Sequence, residues 1–171
     1  MMNLAELIRD VPDFPKQGIL FKDITPVLAE PEALDAIVDT MCDLSRVHGA
    51  TRVMGIEARG FIFGTPVACR MGLPFAPIRK PGKLPADTAR VEYELEYGSD
   101  ALEMHLDAVE PGDRVVIIDD LLATGGTTAA ACKLVEEQGA EVAAIIVVIE
   151  LTALQGRNKL APRQVFALLQ Y

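Results

Sequence analysis

The stretch that decides the fold is "VVIIDDLLATGGTTAA", residues Val115 to Ala130. Its apolar run leads into two adjacent carboxylates, Asp119 and Asp120, and a segment rich in Gly and Thr follows before a helix-like run. In a doubly wound α/β sheet, ligands lie beyond the carboxyl ends of the strands, where the turn into the next helix presents free backbone N–H groups. The stretch therefore predicts a strand, an anion-binding turn that includes the acidic pair, and a helix.

Similar apolar runs recur on both sides of this stretch and alternate with segments of helical composition. The predicted strands are residues 51–56, 75–80, 113–119 and 141–150. One predicted helix spans Pro31 to Gly49, and a second follows the Gly- and Thr-rich segment and stops at Gly139. Alternating strands and helices predict an α/β fold with a central, mostly parallel sheet that is covered on both faces. The length of 171 residues fits a single domain.

Two segments differ from this pattern. Residues 1–30 are rich in Pro and Gly yet keep apolar anchors, which predicts a small appendage wrapped onto the sheet. Residues 81–98 begin with Pro and Gly and then alternate, so we expect a long loop that rises into an exposed ribbon. The apolar side of this ribbon would carry Val91, Tyr93, Leu95 and Tyr97, and the acidic side Glu92, Glu94 and Glu96.

Composition limits the functions that fit the chain. With 16 Lys and Arg against 25 Asp and Glu, the net charge is -9, which disfavours nucleic acid and anionic membranes as partners. Three widely spaced cysteines in apolar surroundings predict buried thiols rather than disulfides or a zinc site. The N-terminal residues lack the pattern of a signal peptide, and no apolar stretch is long enough to span a bilayer, so we expect a cytoplasmic protein.

The Gly- and Thr-rich turn fits a single phosphate group. Gly125 and Gly126 allow a phosphate to approach the backbone, and Thr124, Thr127 and Thr128 add hydroxyl donors. The turn lacks the Lys of a nucleoside triphosphate loop, and the dinucleotide pattern G-x-G-x-x-G does not occur. An acidic pair beside such a turn can accept hydrogen bonds from a sugar diol and approach Mg²⁺ through water, which predicts a ribose 5-phosphate site. The alternative is that the two carboxylates only cap the next helix.

Several segments together resemble one known family. "VVIIDDLLATGGTTAAA" resembles the ribose-phosphate signature of the type I phosphoribosyltransferases, and "PDFPKQGILFKDITPVL", "EARGFIFG", "RKPGKLP", "YELEYG" and "LAPRQVFALLQY" resemble its adenine-specific branch in the same order. The resemblance implies a Rossmann-like fold with an N-terminal hood over residues 1–30 and a mobile catalytic loop over residues 81–97. It also implies a homodimer that converts adenine and 5-phosphoribosyl 1-pyrophosphate to AMP and pyrophosphate with Mg²⁺.

The resemblance also assigns roles to individual residues. For the ribose and 5-phosphate these are Asp119, Asp120, Ala123, Thr124, Gly125, Gly126 and Thr127. For pyrophosphate they are Ala58, Arg59, Arg79, Lys80 and Lys83. For adenine they are Leu20, Phe21, Lys22 and Leu121. Glu96 would be the general acid/base, followed by Tyr97, and Mg²⁺ would be held by substrate oxygens and water near the acidic pair rather than by direct protein ligands.

Without the resemblance, several of these residues also fit ordinary structural roles. Arg59 fits a surface ion pair, Lys83 a solvated face and Phe21 the core. Glu96 is one of three similar carboxylates on the ribbon. Some family members carry Asp-Ser where this chain has Glu57 and Ala58, which leaves the role of the Glu57 side chain open.

Two other functions were weighed against this enzyme. A regulatory protein that senses 5-phosphoribosyl 1-pyrophosphate and binds nucleic acid would need a basic face or an added helix-turn-helix, and a chain of this length and charge offers neither. A phosphoribosyltransferase for hypoxanthine, guanine or xanthine would share the signature. The hood sequence favours adenine.

Overall fold

The computed structural model describes residues 3–94 and 98–171. Its strands are β1 (Arg9–Pro12), β2 (Leu20–Asp23), β3 (Arg52–Ile56), β4 (Phe75–Ile78), β5 (Thr88–Glu94), β6 (Ser99–His105), β7 (Arg114–Leu122), β8 (Glu141–Glu150) and β9 (Val165–Gln170). Its α-helices are α1 (Thr25–Leu28), α2 (Pro31–Val47), α3 (Gly60–Met71) and α4 (Gly126–Glu137).

The central sheet is parallel throughout, in the order β4-β3-β7-β8-β9 within the described residues. Residues in β7 and β8 are buried almost without interruption, because both faces of the sheet are covered. One buried cluster contains side chains of α2 and α3, and the other contains side chains of α4 and the β5–β6 hairpin. The predicted α/β architecture with a mostly parallel sheet is confirmed.

Strand β7 continues beyond the predicted end at Asp119. Leu121 and Leu122 pair in register with Ile149 and Glu150 of β8, and the Leu151 N–H donates to the Leu122 carbonyl at 2.9 Å. The prediction that the acidic pair lies in the turn is therefore wrong: both Asp residues belong to the strand, and the turn is residues 123–125. The long partner strand β8 extends the ladder, and that pairing cannot be read from the local sequence.

The ribbon predicted after Pro81 forms an antiparallel hairpin of β5 and β6, paired from Thr88–His105 to Glu94–Ser99. The predicted alternation holds in the described part, with Val91 buried and Glu92 exposed. The apolar face of the hairpin joins the same buried cluster as α4, so only one side of the ribbon faces solvent. Residues 95–97, which include Glu96 and Tyr97, lie outside the described residues.

The N-terminal segment forms the small β1–β2 sheet and then enters the core through Ile24 and Val27, both buried. Of the three free cysteines, Cys42 and Cys132 are buried as predicted, whereas Cys69 is exposed near the end of α3. The prediction of three buried thiols is thus wrong for Cys69, since it lies on the solvent face of an otherwise apolar helix. Among the described residues, no helix is both long and apolar enough to cross a bilayer.

Candidate active site

The carboxyl ends of β3 and β7 open into a cavity of about 250 Å³. Its lining combines a Gly- and Thr-rich turn, two carboxylates and two cations. The lining residues are Ile56, Glu57, Ala58, Arg59, Lys80, Asp119, Asp120, Leu121, Ala123, Thr124, Gly125, Gly126, Thr127 and Thr128. The site therefore lies where a parallel sheet presents its ligands, at the ends of neighbouring strands.

The phosphate loop, residues 123–127, links the end of β7 to α4. Gly125 has φ of 79°, a left-handed conformation that favours glycine, and it directly precedes the first residue of α4. No side chain among the described residues caps this helix. The first backbone N–H that donates a hydrogen bond within the helix is that of Ala129. The preceding N–H groups at the positive end of the helix dipole can bind an anion.

The acidic pair lies beside this loop on β7. Asp120 is 3% exposed and Asp119 is half-buried. Burial, followed by repulsion from Asp120, raises the pKa of Asp119 well above its usual value. Burial also raises the pKa of Asp120, although the nearby Arg59 cation opposes this shift. Two carboxyl groups with elevated pKa values in one cavity are typical of a functional site.

Arg59 reaches the acidic pair from the opposite side of the cavity. Its Nε lies 3.1 Å from Asp120 Oδ2, an ion contact without the alignment of a hydrogen bond. Gly60 follows and begins α3; a Cβ at this position would lie 2.6 Å from the carbonyl oxygen of Ile118. The absence of a side chain at Gly60 thus lets α3 approach β7 and brings Arg59 to the pair.

Glu57 organises the basic residues that follow β4. Its Oε2 accepts hydrogen bonds from Arg79 Nε at 3.0 Å and from the Lys80 backbone N–H at 2.9 Å. Arg79 also donates to the Lys83 carbonyl at 3.2 Å. The role left open for Glu57 is therefore to hold the segment that carries the predicted pyrophosphate-binding cations.

Lys80 connects the cavity to the hairpin. Its ammonium group donates to the Tyr93 hydroxyl at 3.1 Å and forms a short contact with the Asp100 carboxylate. Burial disfavours the charged lysine, but the hydrogen bonds to Asp100 and Tyr93 outweigh it and raise the pKa of Lys80. The Tyr93 hydroxyl also accepts a hydrogen bond from Thr127 Oγ1.

The predicted adenine residues lie at the N-terminal sheet and at the cavity edge. Phe21 lines a neighbouring hollow of about 290 Å³, and its ring centroid is 5.7 Å from the Arg59 guanidinium carbon. Lys22 is buried, where it bonds to Asp10 at 2.6 Å and lies over the Tyr171 ring at 3.9 Å. The Lys22 side chain therefore has a structural role, which leaves its backbone groups for recognition.

The structure brings together most of the predicted site. The predicted residues that line the main cavity are Ala58, Arg59, Lys80, Asp119, Asp120, Leu121, Ala123, Thr124, Gly125, Gly126 and Thr127. Five predicted residues within the described part of the chain do not line it: Leu20, Phe21, Lys22, Arg79 and Lys83. Sequence reasoning missed Ile56 as a lining residue, whereas Thr128, expected to add a hydroxyl donor to the loop, does line the cavity.

The carboxylate oxygens of the acidic pair are the groups in the cavity that fit a divalent cation. Among residues 3–94 and 98–171, no group of three or more His, Cys, Asp or Glu side chains is arranged to hold a metal ion. Asp120 Oδ2 is buried without a hydrogen-bond partner. Oxygen ligands of this kind suit Mg²⁺, which usually retains several waters.

Comparison with known proteins identifies the family. Residues 27–166 match the family model of the phosphoribosyl transferase domain. The chain is 57% identical to an adenine phosphoribosyltransferase of Clostridium perfringens over 99% of each sequence. The crystal structure of such an enzyme from Thermoanaerobacter pseudethanolicus superposes with a TM-score of 0.95 at 51% identity, covering 98% of each chain. An enzyme from Saccharomyces cerevisiae, complexed with adenine and an imino-altritol bisphosphate, matches with a TM-score of 0.91 at 38% identity over 96% of each chain. With this cavity and these relatives, the chain belongs to the adenine phosphoribosyltransferases.

Proposed function

We propose that three neighbouring subsites of this chain bind different parts of the substrates in the family's reaction. The chain is a purine salvage enzyme that transfers the 5-phosphoribosyl group from 5-phosphoribosyl 1-pyrophosphate to adenine, giving AMP and pyrophosphate. One observation supports this assignment of subsites. A single cavity is lined by the phosphate loop, the acidic pair, Arg59 and Lys80.

The phosphate loop holds the 5-phosphate, and the acidic pair accepts hydrogen bonds from the ribose hydroxyls. Positive charge grows on the sugar ring as the bond to pyrophosphate breaks. Carboxylates fixed beside that ring stabilise the transition state more than the ground state. Asp119 and Asp120 are already fixed by β7, so little reorganisation is needed when the charge develops.

Ala58, Arg59 and Lys80 bind the pyrophosphate, with Arg79 and Lys83 adding charge at the rim. The Arg59 guanidinium offers two parallel donors that match phosphate oxygens. Its ion contact with Asp120 is then exchanged for contacts with the leaving group. Mg²⁺ would be held by substrate oxygens and by water near Asp119 and Asp120, where it neutralises charge on the leaving pyrophosphate.

Adenine binds between Phe21 on the hood, residues 1–30, and Leu121 at the cavity edge. The Phe21 ring stacks on the flat base, while backbone groups of Leu20 and Lys22 read its edge. Glu96, followed by Tyr97, exchanges a proton with the base, and the catalytic loop over residues 81–97 closes over the reactants. Exclusion of water protects the cationic sugar from hydrolysis.

A panel of bases tests this assignment with the wild type, Glu96→Gln and Glu94→Gln. We expect adenine to turn over well and hypoxanthine, guanine and xanthine poorly. Glu96→Gln should lower kcat by about a hundredfold, within the range for loss of a general acid/base, and leave the affinity for 5-phosphoribosyl 1-pyrophosphate unchanged. Glu94, two positions earlier in the sequence, lies exposed at the end of β5 and is the matched control. Equal kcat values for the wild type and Glu96→Gln would exclude Glu96 as the acid/base.

The enzyme acts as a homodimer in the cytoplasm. Exposed apolar side chains such as Val47, Phe14 and Leu20 are available for a subunit contact, and the three free thiols fit a reducing compartment. Light scattering coupled to gel filtration tests the dimer, since a monomer mass at micromolar concentration would contradict it. Fractionation of source cells tests the compartment.

A further inference from the structure

The phosphate loop rests on a second stretch of backbone. A Cβ on Gly156 would lie 2.1 Å from the Ala123 carbonyl oxygen, and a Cβ on Gly125 would lie 2.3 Å from the Gly156 carbonyl oxygen. Both distances are far shorter than any tolerated contact, so the two backbones touch directly. Gly156 is buried by this contact.

An ion pair between a buried carboxylate and a partly exposed arginine fixes the segment that carries Gly156. Glu150 at the end of β8 is 4% exposed and accepts two hydrogen bonds from Arg157, at 3.0 and 2.5 Å. Arg157 also donates to the Val165 carbonyl at 2.6 Å, and Gln170 donates to Glu150 at 3.2 Å. The position of Gly156 is therefore fixed relative to β8 and to the edge strand β9.

This segment lies behind the loop and outside the cavity. The cavity is lined by residues 123–128 of the loop and the start of α4, and among the described residues none after Thr128 lines it. Any effect of Gly156 on a bound phosphate must therefore pass through the loop.

We propose that Gly156 and the Glu150–Arg157 ion pair are positioning residues for the 5-phosphate. The proposal rests on the function given above to the phosphate loop. A loop whose N–H groups must converge on one anion loses affinity when it relaxes, because the donors no longer point to a common centre. The backbone of Gly156 prevents that relaxation because it packs against the loop on the side away from the cavity. The bidentate ion pair keeps the segment that carries Gly156 in place.

Gly156→Ala tests the support directly. Its methyl group must displace the Ala123 carbonyl. We therefore expect the KM for 5-phosphoribosyl 1-pyrophosphate to rise by about tenfold or more, with the KM for adenine changed less than twofold. Calorimetric titration with ribose 5-phosphate should show the same loss of affinity without turnover. Gly72→Ala is the control: Gly72, unlike Gly156, has a left-handed φ of 66°, and it has no neighbour within 4 Å of a Cβ, so this variant shows backbone strain without a steric clash.

Glu150→Gln and Glu150→Ala keep the proposal falsifiable if Gly156→Ala does not fold. Gln retains the shape and part of the hydrogen bonding, so Glu150→Ala should weaken ribose 5-phosphate binding more than Glu150→Gln. Wild-type affinity in folded Gly156→Ala, or in Glu150→Ala when the former does not fold, would overturn the proposal. Thr127→Ala separates this outcome from a failure of the proposed function: if Thr127→Ala also binds ribose 5-phosphate normally, the loop itself is not the phosphate site.

Discussion

Thr127 Oγ1 in the phosphate loop donates a hydrogen bond of 3.3 Å to the Tyr93 hydroxyl on the β5–β6 hairpin. The same hydroxyl accepts from Lys80, which the Asp100 carboxylate also contacts. One phenol thus joins the loop proposed for the 5-phosphate to the cation proposed for pyrophosphate. The hairpin therefore contacts both proposed anion subsites, although none of its described residues lines the cavity.

Tyr93→Phe should weaken the binding of 5-phosphoribosyl 1-pyrophosphate. It removes the three hydrogen bonds of the hydroxyl, with Lys80, Thr127 and Asp100, and leaves the ring packing in place, so we expect KM to rise about three- to tenfold. Product inhibition by pyrophosphate should weaken in parallel, because Lys80 loses one of its partners. Glu92→Gln, one residue earlier on the exposed face of β5, is the control. Unchanged KM and inhibition in Tyr93→Phe would show that the phenol does not organise the subsites.

Arg59→Gln should lower kcat/KM for 5-phosphoribosyl 1-pyrophosphate by about ten- to a hundredfold, the range for losing charged hydrogen bonds. Arg59→Lys should recover only part of the loss, since lysine lacks the paired donors. Without the cation, the pKa of Asp120 rises further. The acid limb of the pH profile of kcat/KM should therefore move to higher pH in Arg59→Gln. An unshifted limb would show that Asp120 does not control it.

Asp119→Asn should stabilise the protein at neutral pH while it impairs the sugar site. The pKa of this carboxyl is raised on folding, so the folded state binds the proton more tightly than the unfolded state. Its contribution to stability is present below the unfolded value near 3.8 and is lost as pH rises through the folded value. Denaturant titrations should show Asp119→Asn more stable than the wild type near pH 8, with the difference vanishing toward pH 4.

Asp113→Asn is a control with the opposite sign. Burial opposes ionisation of Asp113, but hydrogen bonds from Glu110 N–H and Arg52 outweigh it and lower the pKa. Its stabilisation is present above 3.8 and is lost as pH falls through the folded value, so Asp113→Asn should destabilise the protein at neutral pH. If Asp119→Asn behaved in the same way, the carboxyl would be stabilised in its charged form.

Phe21→Ala should raise the KM for adenine by about tenfold, since aromatic stacking and buried ring area are both lost. The KM for 5-phosphoribosyl 1-pyrophosphate should not change, because the ring lies beside the cavity and does not line it. Leu106→Ala, an exposed apolar residue just after β6, controls for general effects. Equal changes for both substrates would contradict an adenine-specific role.

Local sequence was sufficient to predict the parallel sheet and the phosphate loop. The apolar runs predicted β3, β7 and β8 because a strand buried on both faces needs apolar residues at nearly every position. Gly125 was informative because its left-handed conformation is strained for other residues. The end of β7 was placed too early, because the pairing of Leu121 and Leu122 depends on β8, some thirty residues away in the chain.

The contacts that support the site could not be predicted from the sequence. Glu57 holds Arg79 across 22 positions, and nothing in its own neighbourhood indicates that partner. Gly156 contacts Ala123 only because the sheet brings the chain after β8 back beneath the loop. Glu96 and Tyr97 were assigned from the family resemblance, and their roles remain predictions.

The two buried clusters lie on opposite faces of the sheet, and the proposed base site and 5-phosphate loop rest on different ones. The segment that follows Phe21 packs with α2 and α3, whereas the hairpin and α4 form the other layer. On this proposal, the layer beneath Phe21 can be remodelled toward a new nucleobase while the layer that carries the 5-phosphate loop is left intact.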